Sequence, residues 1–144
     1  MKNCITIFLF LITACGISQN LNGNYTSTLT SFNDVKNSDN NFNEETLFTI
    51  TINYDSTKKN SNNYILIQDP RTPDQTLTYE IQKKSVKIPS SKLINSSYLF
   101  KDCLNLKTKA IYDIVIYYNK QNELNLMISD KNYSQAFKKL IKKK

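Results

Sequence analysis

The sequence predicts a small, mainly β domain that ends in one amphipathic α-helix. Most of the chain after residue 18 alternates apolar and polar residues with period two, which is typical of half-buried strands. The last segment changes to a period of about 3.6, as an α-helix requires. The length of 144 residues, of which 40% are hydrophobic, suits a single globular domain.

The strand pattern is clearest where Phe48, Ile50 and Ile52 alternate with polar residues. Weaker segments show the same alternation, and we expect antiparallel strands near residues 22–30, 47–55, 63–69, 76–82, 85–89, 97–102, 110–118 and 123–129. The segment 33–46 is rich in Asn, Asp, Ser and Glu and has no period, which predicts an exposed loop.

The segment at about 131–143 carries the helix prediction. Its apolar residues recur at positions i, i+3, i+4, i+7 and i+8, namely Tyr133, Ala136, Phe137, Leu140 and Ile141. Asp130 or Asn132 could cap its start. The strand at 110–118 is apolar on both faces apart from Asp113, so we expect the helix to cover its outer face. The alternative is a helix that lies on a membrane surface.

An order of eight strands and one helix fits a small up-and-down barrel or a sandwich. Gly23-Asn24-Tyr25 on the first predicted strand resembles the Gly-x-Trp opening of lipocalins, with Tyr25 where that family has tryptophan. Lipocalins are eight-stranded barrels with a C-terminal helix packed outside. The resemblance implies a cavity that holds a ligand.

Residues 1–18 have the pattern of a secretory signal: Lys2 precedes an apolar run that is too short to span a bilayer. This leader resembles those of small exported proteins from flavobacteria and their relatives. Ile12-Thr13-Ala14-Cys15 resembles the bacterial lipobox, which implies lipidation of Cys15 and a place at the outer membrane or cell surface. The alternative is plain cleavage after residue 18, which would give a periplasmic or secreted domain of residues 19–144.

The composition argues against several kinds of chemistry. The sequence has no histidine, so it lacks the usual general base and the commonest metal ligand. We therefore expect no metal, no cofactor and no enzymatic activity. Cys103 is the one cysteine within the predicted domain, so no intramolecular disulfide is expected. We predict a buried, structural thiol, whose pKa the neighbouring Asp102 raises.

Tyrosines and one arginine are the candidate ligand-binding residues. The rings of Tyr54, Tyr64, Tyr79, Tyr112 and Tyr118 could line a cavity, because tyrosine has an apolar ring and a polar tip. Packing in the core is the alternative for most of them. Arg71 lies between two prolines in residues 68–75 and could bind a carboxylate or phosphate. The alternative is a rigid turn in which Arg71 pairs with Asp69 or Asp74.

The formal charge of +7 comes mostly from the C-terminus, because five of the last seven residues are lysine. Residues 16–137 hold 13 basic and 12 acidic residues. An exported chain of this kind is not expected to bind nucleic acid. The sequence favours a non-enzymatic β-domain that binds a small apolar or amphipathic ligand or a surface partner. The alternative is a structural or accessory envelope protein whose lysine-rich helix engages a membrane or an acidic partner.

Overall fold

A computed structural model describes residues 20–34, 46–57 and 62–144. For residues 31–34 it describes the backbone alone. These residues form nine β-strands: β1 Gly23–Asp34, β2 Leu47–Asn53, β3 Tyr64–Gln68, β4 Leu77–Glu80, β5 Val86–Ile88, β6 Ile94–Asn105, β7 Ile111–Asn119, β8 Leu124–Ser129 and β9 Tyr133–Lys142. The predicted leader with Cys15 and most of the predicted loop at 33–46 lie outside the described residues.

Eight of the strands close into an antiparallel barrel. The strand order is β4-β3-β2-β1-β9-β8-β7-β6, and β4 pairs back with β6 through Tyr79 with Asn105 and Glu80 with Leu104. The first and last strands, β1 and β9, are neighbours in the sheet. The mainly β prediction is confirmed, and of the two architectures it left open the chain forms the barrel.

The short strand β5 is an addition to this barrel. It pairs with the first half of β6, where Val86 lies opposite Leu99 and Ile88 opposite Ser97. The strand β4 pairs with the other half of β6, so β5 continues the line of β4 after the break at residues 81–85.

The predicted C-terminal helix is wrong, because residues 133–142 form β9 between β1 and β8. A β-bulge explains the misleading pattern. On β1, Thr26 lies opposite Ile141 and Thr28 opposite Lys138, so β9 has one extra residue there. Lys139 in this bulge has a φ of 56°, in the left-handed region. The extra residue shifts the alternation of side chains by one position.

The shift places inward-facing residues three apart, as on a helix. Gln135 and Phe137 point inward with period two, and the next buried residue after the bulge is Leu140. A helix would also leave β1 and β8 each with an unpaired edge, whereas β9 completes the hydrogen bonding of both. Closure of the barrel therefore outweighs the local helical pattern.

The predicted cover on the outer face of residues 110–118 is also wrong. In β7, Ile114 and Ile116 point into the barrel and are fully buried. On the outward side Ile111 is 45% exposed, and Val115 and Tyr117 are half-buried. Outward apolar side chains continue this face across three strands, since Val115 of β7 lies opposite Leu99 of β6 and Met127 of β8.

Large side chains fill the interior of the barrel. Phe48 and Phe137 meet edge to face with ring centroids 5.3 Å apart. Full burial of one such side chain stabilises the fold by about 1.5–3 kcal/mol. The largest fully buried apolar side chains come from seven strands and are Ile50, Ile52, Ile65, Ile67, Tyr79, Phe100, Ile114, Ile116, Leu126, Ile128 and Phe137.

Cys103 is part of this interior. Asp102 has a φ of 55° at a register shift between β6 and β7, and this irregularity turns the next side chain inward. The free thiol is fully buried. Burial, and then the charges of Asp113 and Asp102, raise the pKa of the Cys103 thiol to about 12. The prediction of a buried structural thiol is confirmed.

Candidate binding clefts at one end of the barrel

One end of the barrel, which we call the cleft end, is where β1 begins and β9 ends. Residues 20–22 precede β1 and are tied to the strands around them. Leu21 is buried, and its carbonyl oxygen accepts a hydrogen bond of 2.8 Å from the Tyr25 hydroxyl. The Asn22 side chain accepts a hydrogen bond of 2.7 Å from the Tyr54 amide. These bonds fix the segment against the barrel.

Two clefts lie at this end, and Asn20 lines both of them. The first, here called the Tyr54 cleft, has a volume of about 280 Å³ and is lined by Asn20, Leu21, Asn22, Tyr54, Asp55, Ser56 and Tyr98. The second, here called the Lys142 cleft, has a volume of about 310 Å³ and is lined by Asn20, Tyr25, Tyr118, Asn122, Glu123, Leu124, Lys139, Leu140 and Lys142. Both volumes are close to the lower limit of about 300 Å³ for ligand pockets.

The Tyr54 cleft is polar and internally hydrogen-bonded. The Tyr54 ring packs edge to face on Phe100, with centroids 4.9 Å apart. Its hydroxyl lies 3.1 Å from the Ser85 hydroxyl and accepts a hydrogen bond of 3.0 Å from the Ser85 amide. Asp55 and Asn63 exchange hydrogen bonds of 2.8 and 3.0 Å between backbone and side chain. This cleft is therefore held in shape by its own polar groups.

The Lys142 cleft has an apolar floor. Leu124 and Leu140 are 6% and 7% exposed, and the rings of Tyr25 and Tyr118 lie beside them. Burial raises the pKa of Tyr25, and the nearby Tyr118 adds to that increase. Burial also raises the pKa of Tyr118. The Tyr25 hydroxyl donates its hydrogen to the Leu21 carbonyl, and the half-buried Tyr118 offers a neutral hydroxyl to the cleft.

The rim of the Lys142 cleft carries charged groups. Lys139 Nζ lies 3.3 Å from Glu123 Oε1, and Glu123 Oε2 accepts a hydrogen bond of 3.0 Å from the Asn119 side chain. The bonds from Asn119 and then Lys139 lower the pKa of Glu123. The Lys142 ammonium lies 5.9 Å from the centre of the Tyr25 ring. One carboxylate and two ammonium groups leave this rim positive.

The structure separates the predicted site residues. Tyr54 and Tyr118 lie at the cleft end, in different clefts. Tyr79 and Tyr112 lie further along the barrel and meet edge to face at 5.5 Å, and Tyr112 meets Tyr133 in the same way at 5.5 Å. Tyr79 is 1% exposed, and burial raises its pKa well above the ordinary range. These rings pack against one another and against the core.

The other two predicted residues lie on the outside. Tyr64 begins β3 on its outward face and is half-buried. Arg71 lies between β3 and β4, where its Nη2 is 2.7 Å and its Nε 3.0 Å from the two carboxylate oxygens of Asp69. The hydrogen bonds from Arg71 lower the pKa of Asp69. The guanidinium carbon also lies 5.9 Å from the centre of the Phe48 ring. Arg71 thus stabilises its own turn.

Sequence reasoning missed several residues of the clefts. Tyr98 occupies a strand position like those of the other tyrosines, so its ring could have been included on the same grounds. The helix prediction included three further cleft residues, Lys139, Leu140 and Lys142. Their place at the cleft depends on the bulge in β9. The sequence around Lys139 has no signal for that bulge, because lysine seldom adopts positive φ.

The described residues contain no group of three or more His, Cys, Asp or Glu side chains that could hold a metal ion. They also contain no helix that is long and apolar enough to cross a membrane. The clefts offer aromatic rings, aliphatic side chains, amides, hydroxyls, carboxylates and ammonium groups as their means of contact. Comparison with protein-family models, curated proteins and solved structures gives no match.

Proposed function

We propose that this chain is an exported, non-enzymatic β-barrel that binds a small apolar or amphipathic ligand at its cleft end. The observation that carries the proposal is the Lys142 cleft, in which a tyrosine and leucine floor lies beside a positive rim. Large side chains fill the middle of the barrel, so a ligand is held at the end and not at the centre. The resemblance to lipocalins is part of the same proposal.

The residues around the clefts support binding of a ligand with both apolar and polar parts. Rings of Tyr25, Tyr54, Tyr98 and Tyr118 surround the end of the barrel. Tyrosine suits such sites because it offers a rigid apolar face and a hydroxyl. The hydrogen bonds of residues 20–22 hold the clefts in shape before a ligand arrives, which lowers the entropy cost of binding.

The test is an NMR titration of the protein with decyl maltoside and decyl sulfate, each kept below its critical micelle concentration. We expect at least one of them to shift amide signals of residues around the Lys142 cleft and to leave the turn at residues 106–110 unchanged. Tyr118→Ala should weaken binding, and Tyr64→Ala, which removes a tyrosine from the outer face, is the matched control. Absence of any saturable shift with either compound would reject the proposal.

Export belongs to the proposal, and its route is testable. If Cys15 is lipidated, Cys15→Ala should abolish acyl labelling and release the protein from membranes. A mature chain that begins at Gln19 and carries no lipid would instead show plain cleavage. Lipidation would place the barrel at a membrane, and plain cleavage would leave it periplasmic or secreted.

A second candidate is an accessory envelope protein whose C-terminal lysines engage an anionic membrane. It is favoured by the exposed side chains of Lys138, Lys139, Lys142 and Lys143 at the end of β9 and just after it. Charges of this kind attract anionic lipid surfaces in a way that salt screens. Sedimentation with vesicles that contain phosphatidylglycerol should then bring the protein down at low salt only, and vesicles of phosphatidylcholine should not.

A further inference from the structure

The side chain of Lys142 is held across the start of β1. Its Nζ donates a hydrogen bond of 2.8 Å to the carbonyl oxygen of Asn22. Gly23 makes this path possible: a Cβ atom there would lie 2.5 Å from Lys142 Cε and 3.2 Å from Nζ. Gly23 also has a φ of 154°, a conformation that other residues rarely adopt. The backbone thus leaves a space that the lysine stem occupies.

No acidic side chain in the part of the chain that the structure describes pairs with Lys142. The hydrogen-bond acceptor of Lys142 is a neutral carbonyl. Glu123, the carboxylate that lines the same cleft, pairs with Lys139. Lys142 therefore presents an ammonium group whose charge an incoming anion could neutralise.

The apolar floor lies next to this ammonium. The bulge at Lys139 turns the side chain of Leu140 into the barrel end, two residues before Lys142 on the same strand. The Tyr118 ring, at the end of β7, lines the same cleft. A volume of about 310 Å³ is at the lower limit of known ligand pockets, which favours one alkyl chain over a larger ligand.

We propose that the Lys142 cleft binds a single-chain amphiphile with an anionic headgroup, such as a carboxylate, a sulfate or a phosphate monoester. The headgroup contacts the Lys142 ammonium, and the alkyl chain lies over Tyr118 and Leu140. This inference rests on the proposed function and names the class of its ligand. The positive rim and the unpaired ammonium select the anion, and the leucine and tyrosine floor selects the chain.

The experiment compares decyl sulfate with decyl maltoside, which has the same chain and no charge, by calorimetry below both critical micelle concentrations. We expect decyl sulfate to bind at least about tenfold more tightly, which is about 1.4 kcal/mol, because its headgroup makes a charge-assisted hydrogen bond with the Lys142 ammonium. Lys142→Gln should remove this difference by weakening the binding of decyl sulfate about tenfold or more relative to that of decyl maltoside. Lys131→Gln, in the turn at the other end of the barrel, is the matched control and should change neither affinity.

Each other outcome has a defined meaning. If both compounds bind equally and Lys142→Gln has no effect, the ligand class is wrong and the proposed function stands. If neither compound binds, both proposals fail. If sodium sulfate binds in the same calorimetric titration as tightly as decyl sulfate does and competes with it, the site takes a free anion and the amphiphile is rejected. If only vesicles containing phosphatidylglycerol bind, in a manner that needs Lys142, the membrane candidate replaces this one.

Discussion

Two groups of tyrosines at different heights of the barrel behave in opposite ways. Tyr79, Tyr112 and Tyr133 pack edge to face in one chain of rings, and Tyr79 is almost fully buried. Tyr118 is half-buried and lines an open cleft beside charged groups, together with Tyr25, which is itself only 4% exposed. Tyr112 and Tyr118 are on the same strand and the same face of it, six residues apart. Their roles differ because their neighbours differ: the first group meets other rings, and the second meets lysine side chains and solvent.

The comparison shows that residue type and alternation identify inward-facing tyrosines and do not separate structural rings from exposed ones. An inward side chain in the middle of a strand meets side chains from the facing strands. An inward side chain at the end of a strand meets whatever crosses that end, here residues 20–22. Position along the barrel axis therefore decides which tyrosines are available to a ligand.

The largest expected effect is the difference in unfolding free energy between a substitution at Tyr79 and one at Tyr118. Tyr79→Ala should lower the free energy of unfolding by about 3–5 kcal/mol, because it removes a fully buried ring from a packed interior. Tyr118→Ala should cost about 1 kcal/mol, because a half-buried ring contributes only part of its surface. Urea unfolding of both variants measures the difference. Equal losses would mean that the cleft is as closely packed as the core.

The same contrast applies within β9. Phe137→Ala should cost about 3–5 kcal/mol, since this ring is fully buried against Phe48. Ile141→Ala should cost less than about 0.5 kcal/mol, since Ile141 is 60% exposed on the bulged strand. A helix would place both residues on one buried stripe, so similar losses in urea unfolding would support the helix and contradict the strand.

Alkaline pH should lower the free energy of unfolding through the buried groups Tyr79 and Cys103. Burial raises the pKa of Tyr79 and raises that of the Cys103 thiol to about 12, whereas in the unfolded chain these groups ionise near their ordinary values of about 10 and 8.5. Above about pH 8.5 the unfolded chain then binds fewer protons than the folded one. Stability is therefore complete below that pH and falls as the pH rises toward 12.

Thermal melts between neutral pH and pH 11 measure this loss. Cys103→Ala should delay its onset until tyrosine ionises, near pH 10. The folded protein should also react slowly with a thiol reagent at pH 8 and rapidly after urea unfolding. Rapid labelling of the folded protein would show that Cys103 is accessible, contrary to its burial.

The smallest effect concerns a polar contact of the Tyr54 cleft. Tyr54→Phe removes the hydroxyl that bonds the Ser85 amide and side chain while keeping the ring on Phe100. The expected cost is about 0.5–1.5 kcal/mol, the usual net value of a hydrogen bond. Tyr64→Phe on the outer face is the control and should be neutral. A neutral Tyr54→Phe would show that water replaces the hydroxyl and that this cleft is not held rigid.

The turn at Arg71 shows how far local sequence carries a prediction. Arg71 and Asp69 are two residues apart, so their side chains can meet whatever the rest of the fold is. The predicted rigid turn with this ion pair is present in the structure. Prediction of which tyrosines line a cavity required the register of the strands as well. Whether Tyr64 or Tyr98 points into the barrel depends on the register of each strand, and a shift of one residue reverses every side chain.

The sequence by itself determined most strands and the ion pair in the turn, because each depends on alternation or on neighbours in the chain. The buried state of Cys103 agrees with the sequence prediction, but the left-handed φ of Asp102 is what turns this side chain inward. Only the tertiary structure decided that residues 133–142 are a strand, because the reason is the pairing of β9 with β1 and β8 at the point of closure. The same closure sets the bulge at Lys139 and turns Leu140 inward. The Lys142 cleft exists for that reason, since its walls come from segments that are distant in the sequence and adjacent only in the closed barrel.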